Sequence, residues 1–138
     1  MAIRIDEPLY MELVLTAEER MTVPTQLCYE PHDPFAVCLD FHVGTDLSAP
    51  WFVARDLLAE GLYRPTGHGD VRVWPTGSGP DAELNLALSS PHGTARLIAP
   101  LPVVAQLLRR AYQMVPAGRE TERLDLDAEL SRLLHGIT

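Results

Sequence analysis

Histidines beside carboxylates, serines beside a histidine, and a pair of cysteines are the groups from which this 138-residue chain could build reactive chemistry. Proton transfer needs a base within hydrogen-bond reach of an orienting group, and acyl transfer adds a nucleophile. His32 and Asp33, His68 and Asp70, and Ser89, Ser90 and His92 are the three places where such types crowd together. His32 and Asp33 lie between Pro31 and Pro34. Asp before proline is a turn former, so that pair belongs to a hairpin tip. Ser90-Pro91-His92-Gly93 has proline second and glycine fourth, the pattern of a type I turn, and its hydroxyls serve the backbone. His68 and Asp70 flank Gly69 in a loop that could approach a ligand, but no third partner accompanies them. Gly77-Ser78-Gly79 lacks the spacing of a nucleophile elbow. Gly67-His68-Gly69 is too short to be a dinucleotide loop and opens no long helix. All 11 basic residues are arginine, which excludes a Schiff-base lysine, a P-loop lysine and a lysine base. No catalytic constellation is expected, and no cofactor.

Metal binding fares no better. Cys38 and His42 would share a face of a helix, but a strand separates them by roughly 13 Å at about 3.3 Å per residue. The strand pattern is the stronger one here, so His42 reads as a half-exposed strand residue. Cys28 and Cys38 alone do not make a zinc site. On adjacent strands they could face each other, with a disulfide then conceivable, or Cys28 could face Ala36. Free thiols are the expectation in a reducing compartment.

The elements that must position these groups follow from periodicity. Leu9, Met11, Leu13 and Leu15 alternate with Tyr10, Glu12 and Val14 and predict a first strand. Val23, Thr25, Leu27 and Tyr29, then Phe35, Val37, Leu39, Phe41 and Val43, predict a hairpin around Pro31–Pro34. Pro24 places its strand at an edge, or itself near the strand's start. Trp51 to Arg55 predicts a fourth strand, followed by a short helix capped by Asp56 and ended by Gly61. Asp70 to Trp74, Leu84 to Leu88 and Thr94 to Ala99 predict three more strands. From Pro102 the period changes. Val104, Leu107, Leu108, Ala111 and Val115 line one helical face, and Leu126, Leu130, Leu133, Leu134 and Ile137 a second, after a bend at Pro116 to Arg119. The expected fold class is α+β in a single domain spanning 1–138: an antiparallel sheet of about seven strands covered on one side by two C-terminal helices.

An apolar fraction of 46% excludes a disordered chain, and no run is long enough to span a membrane. Arg4, Asp6, Glu7 and Glu12 interrupt the first fifteen positions, so no signal peptide is read there and the cytoplasm is the expected compartment. A net charge of −8 argues against a phosphate-backbone binder, and Arg109-Arg110 reads as a solvated helix face. Binding of other proteins remains. Trp51, Phe52, Tyr63, Trp74 and Tyr112 are the aromatic candidates for an interface. Trp74 shares parity with Asp70 and Arg72 on the more polar face of its strand, so it needs cover, expected from the C-terminal helices. Open sheet edges offer a further route to a partner.

Several segments carry a resemblance across Val14 to Leu134. They are Tyr29-Glu30-Pro31-His32-Asp33-Pro34-Phe35, Phe52-Val53-Ala54-Arg55-Asp56-Leu57-Leu58-Ala59-Glu60-Gly61, Arg64-Pro65-Thr66-Gly67, Gly69-Asp70-Val71-Arg72-Val73-Trp74-Pro75, Leu86-Ala87-Leu88-Ser89-Ser90-Pro91 and Leu124-Asp125-Leu126-Asp127-Ala128-Glu129-Leu130. Together these resemble the SsgA-like sporulation and cell-division proteins of actinomycetes, of the SsgB type. The resemblance implies a non-enzymatic cytoplasmic protein of sporulation-linked septation, acting at the division septum. It implies partners in the tubulin-like FtsZ and an SsgA-type protein, a homotrimer, and a fold similar to the Whirly single-strand binders. Single-stranded nucleic-acid binding is the alternative that this fold suggests, and the acidic charge opposes it. A small hydrolase around His68 and Asp70 is a further rival. For the recruiting surface, Leu57, Leu58, Arg64, Arg72 and Trp74 are the expected contacts, because they mix apolar and arginine groups on neighbouring elements. Gly118 is a possible tuning point in the bend between the helices.

Overall fold

The structure, a computed structural model, describes residues 4–42, 48–121, 130 and 132–134. Its strands are β1 (Ile5–Val14), β2 (Arg20–Tyr29), β3 (Ala36–His42), β4 (Ser48–Ala54), β5 (Val71–Thr76), β6 (Glu83–Ser90) and β7 (Gly93–Pro100). Helix α1 (Arg55–Gly61) joins β4 to β5, and α2 (Leu101–Met114) follows β7. All seven strands form one antiparallel sheet in the order β4-β3-β2-β1-β7-β6-β5. Two meanders therefore meet at β1 and β7, where only Glu12 with Ile98 and Leu13 with Leu97 pair. That short seam explains how β1 tolerates Pro8 inside an interior strand: Pro8 lies beyond the pairing with β7.

Parity decides which face is buried. Met11, Leu27, Val37 and Leu39 point to one face, joined by Leu84 and Leu86. Val73 opposite Leu86 shifts the parity of β5, which puts Arg72 and Trp74 on the outer face. On the inner face α2 presses Val104, Leu107, Leu108 and Ala111. Helix α1 packs against both β4 and β5, which are the two edges of the sheet. A flat sheet of this width would hold its edges roughly 29 Å apart at about 4.8 Å per strand spacing. A seven-residue helix cannot bridge that distance, so the sheet is curled around its helices.

Several expectations are corrected. β2 is interior, not an edge strand; Pro24 is accommodated because β3 pairs with β2 only from Thr25 onward. Asp56 does not cap α1: Ala54 holds the cap position, and the Asp56 carboxylate accepts the Tyr112 hydroxyl at 2.6 Å. Gly61 is the last helical residue, and the reason for glycine there is contact, because a Cβ would lie 2.4 Å from Val73 Cγ1. Pro75 sits inside β5, which its edge position permits. Helical backbone resumes at 120–121 and at 130 and 132–134. Leu130, Leu133 and Leu134 are exposed there, so they give the sheet no cover, and the remaining residues of that apolar stripe lie outside the described residues. The cover comes from α1 and α2.

One buried cation ties these layers together. Arg55 opens α1 at 1% exposure. Its Nη1 donates to the Tyr29 hydroxyl at 3.0 Å and to the carbonyls of Val115 at 2.7 Å and Ala111 at 3.3 Å. Its Nη2 donates to Glu120 Oε1 at 2.6 Å. The guanidinium also lies 4.0 Å from the Tyr112 ring centre. Removing one partner of a buried pair strands the other charge, so Arg55→Ala is expected to cost on the order of 3–5 kcal/mol in urea unfolding. The Glu120 carboxyl is held below its ordinary value by its own backbone N–H, and by Arg55 and the Gly118 N–H, against the effect of burial. Its contribution is thus full above the ordinary carboxyl pKa of about 4.3 and fades as pH falls through the lower folded value. Glu120→Gln is expected to lower Tm at pH 7, with the gap to the parent protein narrowing in acid melts.

Gly61 supplies a second test. Glycine to alanine in a helix ordinarily gains up to about 1 kcal/mol. Here Gly61→Ala is expected to lose about 1–3 kcal/mol by overpacking. Combination with Val73→Ala is expected to be less costly than the two single losses added, as read by a double-mutant cycle.

Candidate partner-binding surface

After α1 the chain turns through residues 62–70 and folds back on β5. Thr66 and Val73 exchange backbone hydrogen bonds at 2.8 and 2.9 Å, and Ser89 N donates to the Asp70 carbonyl at 2.8 Å. Gly67 makes the fold-back possible: its φ is 98°, and a Cβ would fall 2.4 Å from the Val71 carbonyl oxygen. The loop and β5 enclose an open concavity of about 590 Å³, bordered by Glu60, Thr66, His68, Arg72, Trp74 and Ala87.

Trp74 is the floor of this concavity. Its cover is not α2, which packs on the opposite face, but the Arg96 guanidinium of β7, 5.5 Å from the ring centre. Asn85 on β6 braces both sides: its Nδ2 donates to Trp74 O at 3.3 Å and Thr76 Oγ1 at 3.0 Å, and its Oδ1 accepts from Arg96 Nη2 at 3.1 Å. Asn85 is 1% exposed, so the outer face buries a polar residue that is fully engaged.

The residues expected at the recruiting surface do not all come together. Arg72 and Trp74 meet in the concavity, and exposed Arg64 and Tyr63 stand at the start of its loop. Leu57 is half-buried beneath the loop, with Cδ1 3.3 Å from where a Gly67 Cβ would be. Leu58 is 2% exposed and belongs to the core, so it offers nothing to a partner. Gly118 lies in the bend after α2, at φ 85°, with open space around it. His68 lines the concavity but Asp70 does not, and among the described residues no hydrogen bond holds His68 to Asp70 or to a nucleophile. No group of three or more His, Cys, Asp or Glu side chains among the described residues could hold a metal ion. Arg110 pairs with Glu7 at 3.6 Å, which breaks up the basic face of α2.

Sequence reasoning missed Arg96 and Asn85 because their value lies in cross-strand neighbours. It also missed a second, apolar cavity of about 470 Å³ on the inner face beyond α2, bordered by Leu13, Val23, Phe41, Trp51, Leu88 and Leu97.

Residues 23–120 match the model of the SsgA family, described as Streptomyces sporulation and cell division protein. This chain belongs to that family. The sporulation-specific cell division protein SsgB of Streptomyces coelicolor is 48% identical over 126 residues, covering 91% of this chain and 92% of that protein. SsgB of Thermobifida fusca is 44% identical, covering 88% and 90%. The crystal structure of an SsgA-like sporulation-specific cell division protein from Thermobifida fusca superposes with TM-score 0.86 at 38% identity, over 95% of this chain and 96% of that one. The resemblance to the SsgB type therefore holds, and these relatives place this SsgA-family chain in sporulation cell division. Among its described residues no helix is long and apolar enough to cross a membrane.

The cover on Trp74 can be tested in a Trp51→Phe background, where Trp74 is the remaining indole. Arg96→Ala is expected to raise iodide quenching and red-shift the emission, while stability falls by about 1–3 kcal/mol because the buried Asn85 Oδ1 loses its donor.

Proposed function

We propose that this SsgA-family protein is a non-enzymatic regulator that recruits FtsZ to septum sites during sporulation-specific division, together with an SsgA-type protein. The observation that carries the reading is the Arg72–Trp74 concavity, in a chain so alike to SsgB over nearly its whole length. An arginine and a braced tryptophan on a rigid strand are the residue types that dominate protein interfaces. Arg64 and Tyr63, at the start of the fold-back loop, are exposed as well. The concavity offers a partner shape and charge, with no base, acid and nucleophile joined in it.

We further propose that the protein acts as a homotrimer at the cytoplasmic side of the septum. Two apolar features support self-association: the inner-face cavity at Phe41 and Trp51, and exposed Leu130, Leu133 and Leu134. Three copies of one modest site on a filament with repeated sites bind by avidity. Single-strand nucleic-acid binding is disfavoured by a net charge of −8 and by the Arg110–Glu7 pair.

Co-sedimentation with FtsZ polymers tests the recruitment. The parent protein is expected to pellet with polymer, and Arg72→Glu with Trp74→Ala to lose at least about tenfold in apparent affinity while keeping its melting temperature. Unchanged binding by the double variant would remove the concavity from the mechanism. A parent protein that stays in the supernatant would end the recruitment reading. Leu58→Ala serves as a control for core damage.

A further inference from the structure

The β2–β3 register places Cys28 directly opposite Cys38, which rejects the pairing with Ala36. Both thiols are free. Directly paired residues on antiparallel strands have Cα atoms about 4.5 or 5.5 Å apart. Both spacings fall within the 4.4–6.8 Å range that a disulfide accepts. Cys28 and Cys38 also border the same outer-face cavity of about 250 Å³, beside Arg4, Asp40 and Phe52, so one small molecule can reach the pair. Cys38 is half-buried and Cys28 buried, so the two thiols differ in access.

We propose that Cys28 and Cys38 are a reversible oxidation site, closed into a cross-strand disulfide by low-molecular-weight disulfides such as oxidised glutathione. The more accessible Cys38, as thiolate, attacks one sulfur of the oxidant. A Cys38–oxidant S–S bond forms, the oxidant's own S–S bond breaks, and one small thiolate leaves. Cys28, once deprotonated, attacks the Cys38 sulfur and expels the second small thiolate. The two cysteines lose two electrons and two protons; the oxidant gains both and ends as two thiols.

The surroundings decide how readily this happens. Burial pushes the Cys28 thiol up to about 11, and the nearby Asp6 carboxylate adds to this while Arg4 opposes it. Burial also raises Cys38, with Asp40 next in effect. The charged groups facing the pair are Arg4 and Asp6 from the first strand and its lead-in, Glu30 and Asp33 from the hairpin turn, and Asp40 from β3. Burial, helped by Asp6 at Cys28 and by Asp40 and Glu30 at Cys38 and opposed by Arg4, keeps both sulfurs protonated at neutral pH, so the site is slow there and quickens in alkali. The bond would close the hairpin turn that seats the buried cation: Tyr29 OH donates to Pro34 O at 2.9 Å, and Arg55 N donates to Phe35 O at 2.7 Å. The inference is independent of FtsZ recruitment.

The test uses the reduced, folded full chain and excess oxidised glutathione, read by intact mass and a non-reducing digest. The expected product has lost the mass of two hydrogens, carries a Cys28–Cys38 link, and reverts with dithiothreitol. Its rate is expected to rise about tenfold per pH unit between about pH 7 and 9, following the thiolate fraction. Cys28→Ser is expected to stop at one glutathione on Cys38. Cys38→Ala is expected to leave Cys28 at least about tenfold less reactive. Two glutathione adducts on one chain would overturn the proposal. So would chain-to-chain links alone, or thiols that resist the reagent when folded and react when unfolded in urea. The parent protein's result stands even if a variant fails to fold.

Discussion

The burial of Arg55 is the constraint on which the arrangement rests. A guanidinium at 1% exposure needs its charge answered, and here both Nη groups are bonded while Nε has no hydrogen-bond partner. The answering groups come from four places in the chain: Tyr29 on β2, Tyr112 on α2, the carbonyls at the end of α2, and Glu120 beyond it. None of these can shift without leaving a polar group unpaired in the interior. The cation therefore fixes the start of α1 against the end of α2. It also fixes the hairpin turn, because the Tyr29 hydroxyl that receives Arg55 is itself bonded to Pro34.

From that point the site is positioned by close packing. Helix α1 leaves Arg55, crosses between the two sheet edges and ends at Gly61 against Val73. The absence of a side chain at Gly61 brings α1 onto β5, and Gly67 then lets the loop return to the same strand. The concavity at Arg72 and Trp74 is the outer side of this contact. Its members are held by the sheet, through Asn85 and Arg96, and not by the loop alone. A surface built on strands presents its residues with less entropy to lose on binding than a free loop would.

The inner and outer faces of the sheet thus carry different tasks. The inner face supplies the core under α1 and α2 and, beyond them, an apolar cavity open to solvent. The outer face carries the braced tryptophan at one end and the paired thiols toward the other, on β5 and on β2–β3. Between them lie β1, β7 and β6.

Features that depend on near neighbours along the chain were legible before any fold was known. Period-two runs announced the strands, the change at Pro102 announced α2, and parity put Trp74 on the polar face, because alternation along a strand is a local property. The SsgA-like family was legible in the same way, from ordered segments such as Val71-Arg72-Val73-Trp74-Pro75. The absence of lysine was equally plain. Only the tertiary structure decided which strands meet and what fills the space between layers. Parity allowed Cys28 to face Cys38 or Ala36, since either keeps the same residues inside; the hairpin turn chose. Arg55 shares parity with buried Val53, a signal of its burial, yet its partners lie up to 65 positions away and no local pattern names them. Leu58 and Leu57 look alike in sequence, and the helix angle alone sends one into the core and leaves the other under the loop. Contacts between residues far apart in the chain are set by packing and by the pairing of buried polar groups, and those conditions exist only once the whole sheet has curled.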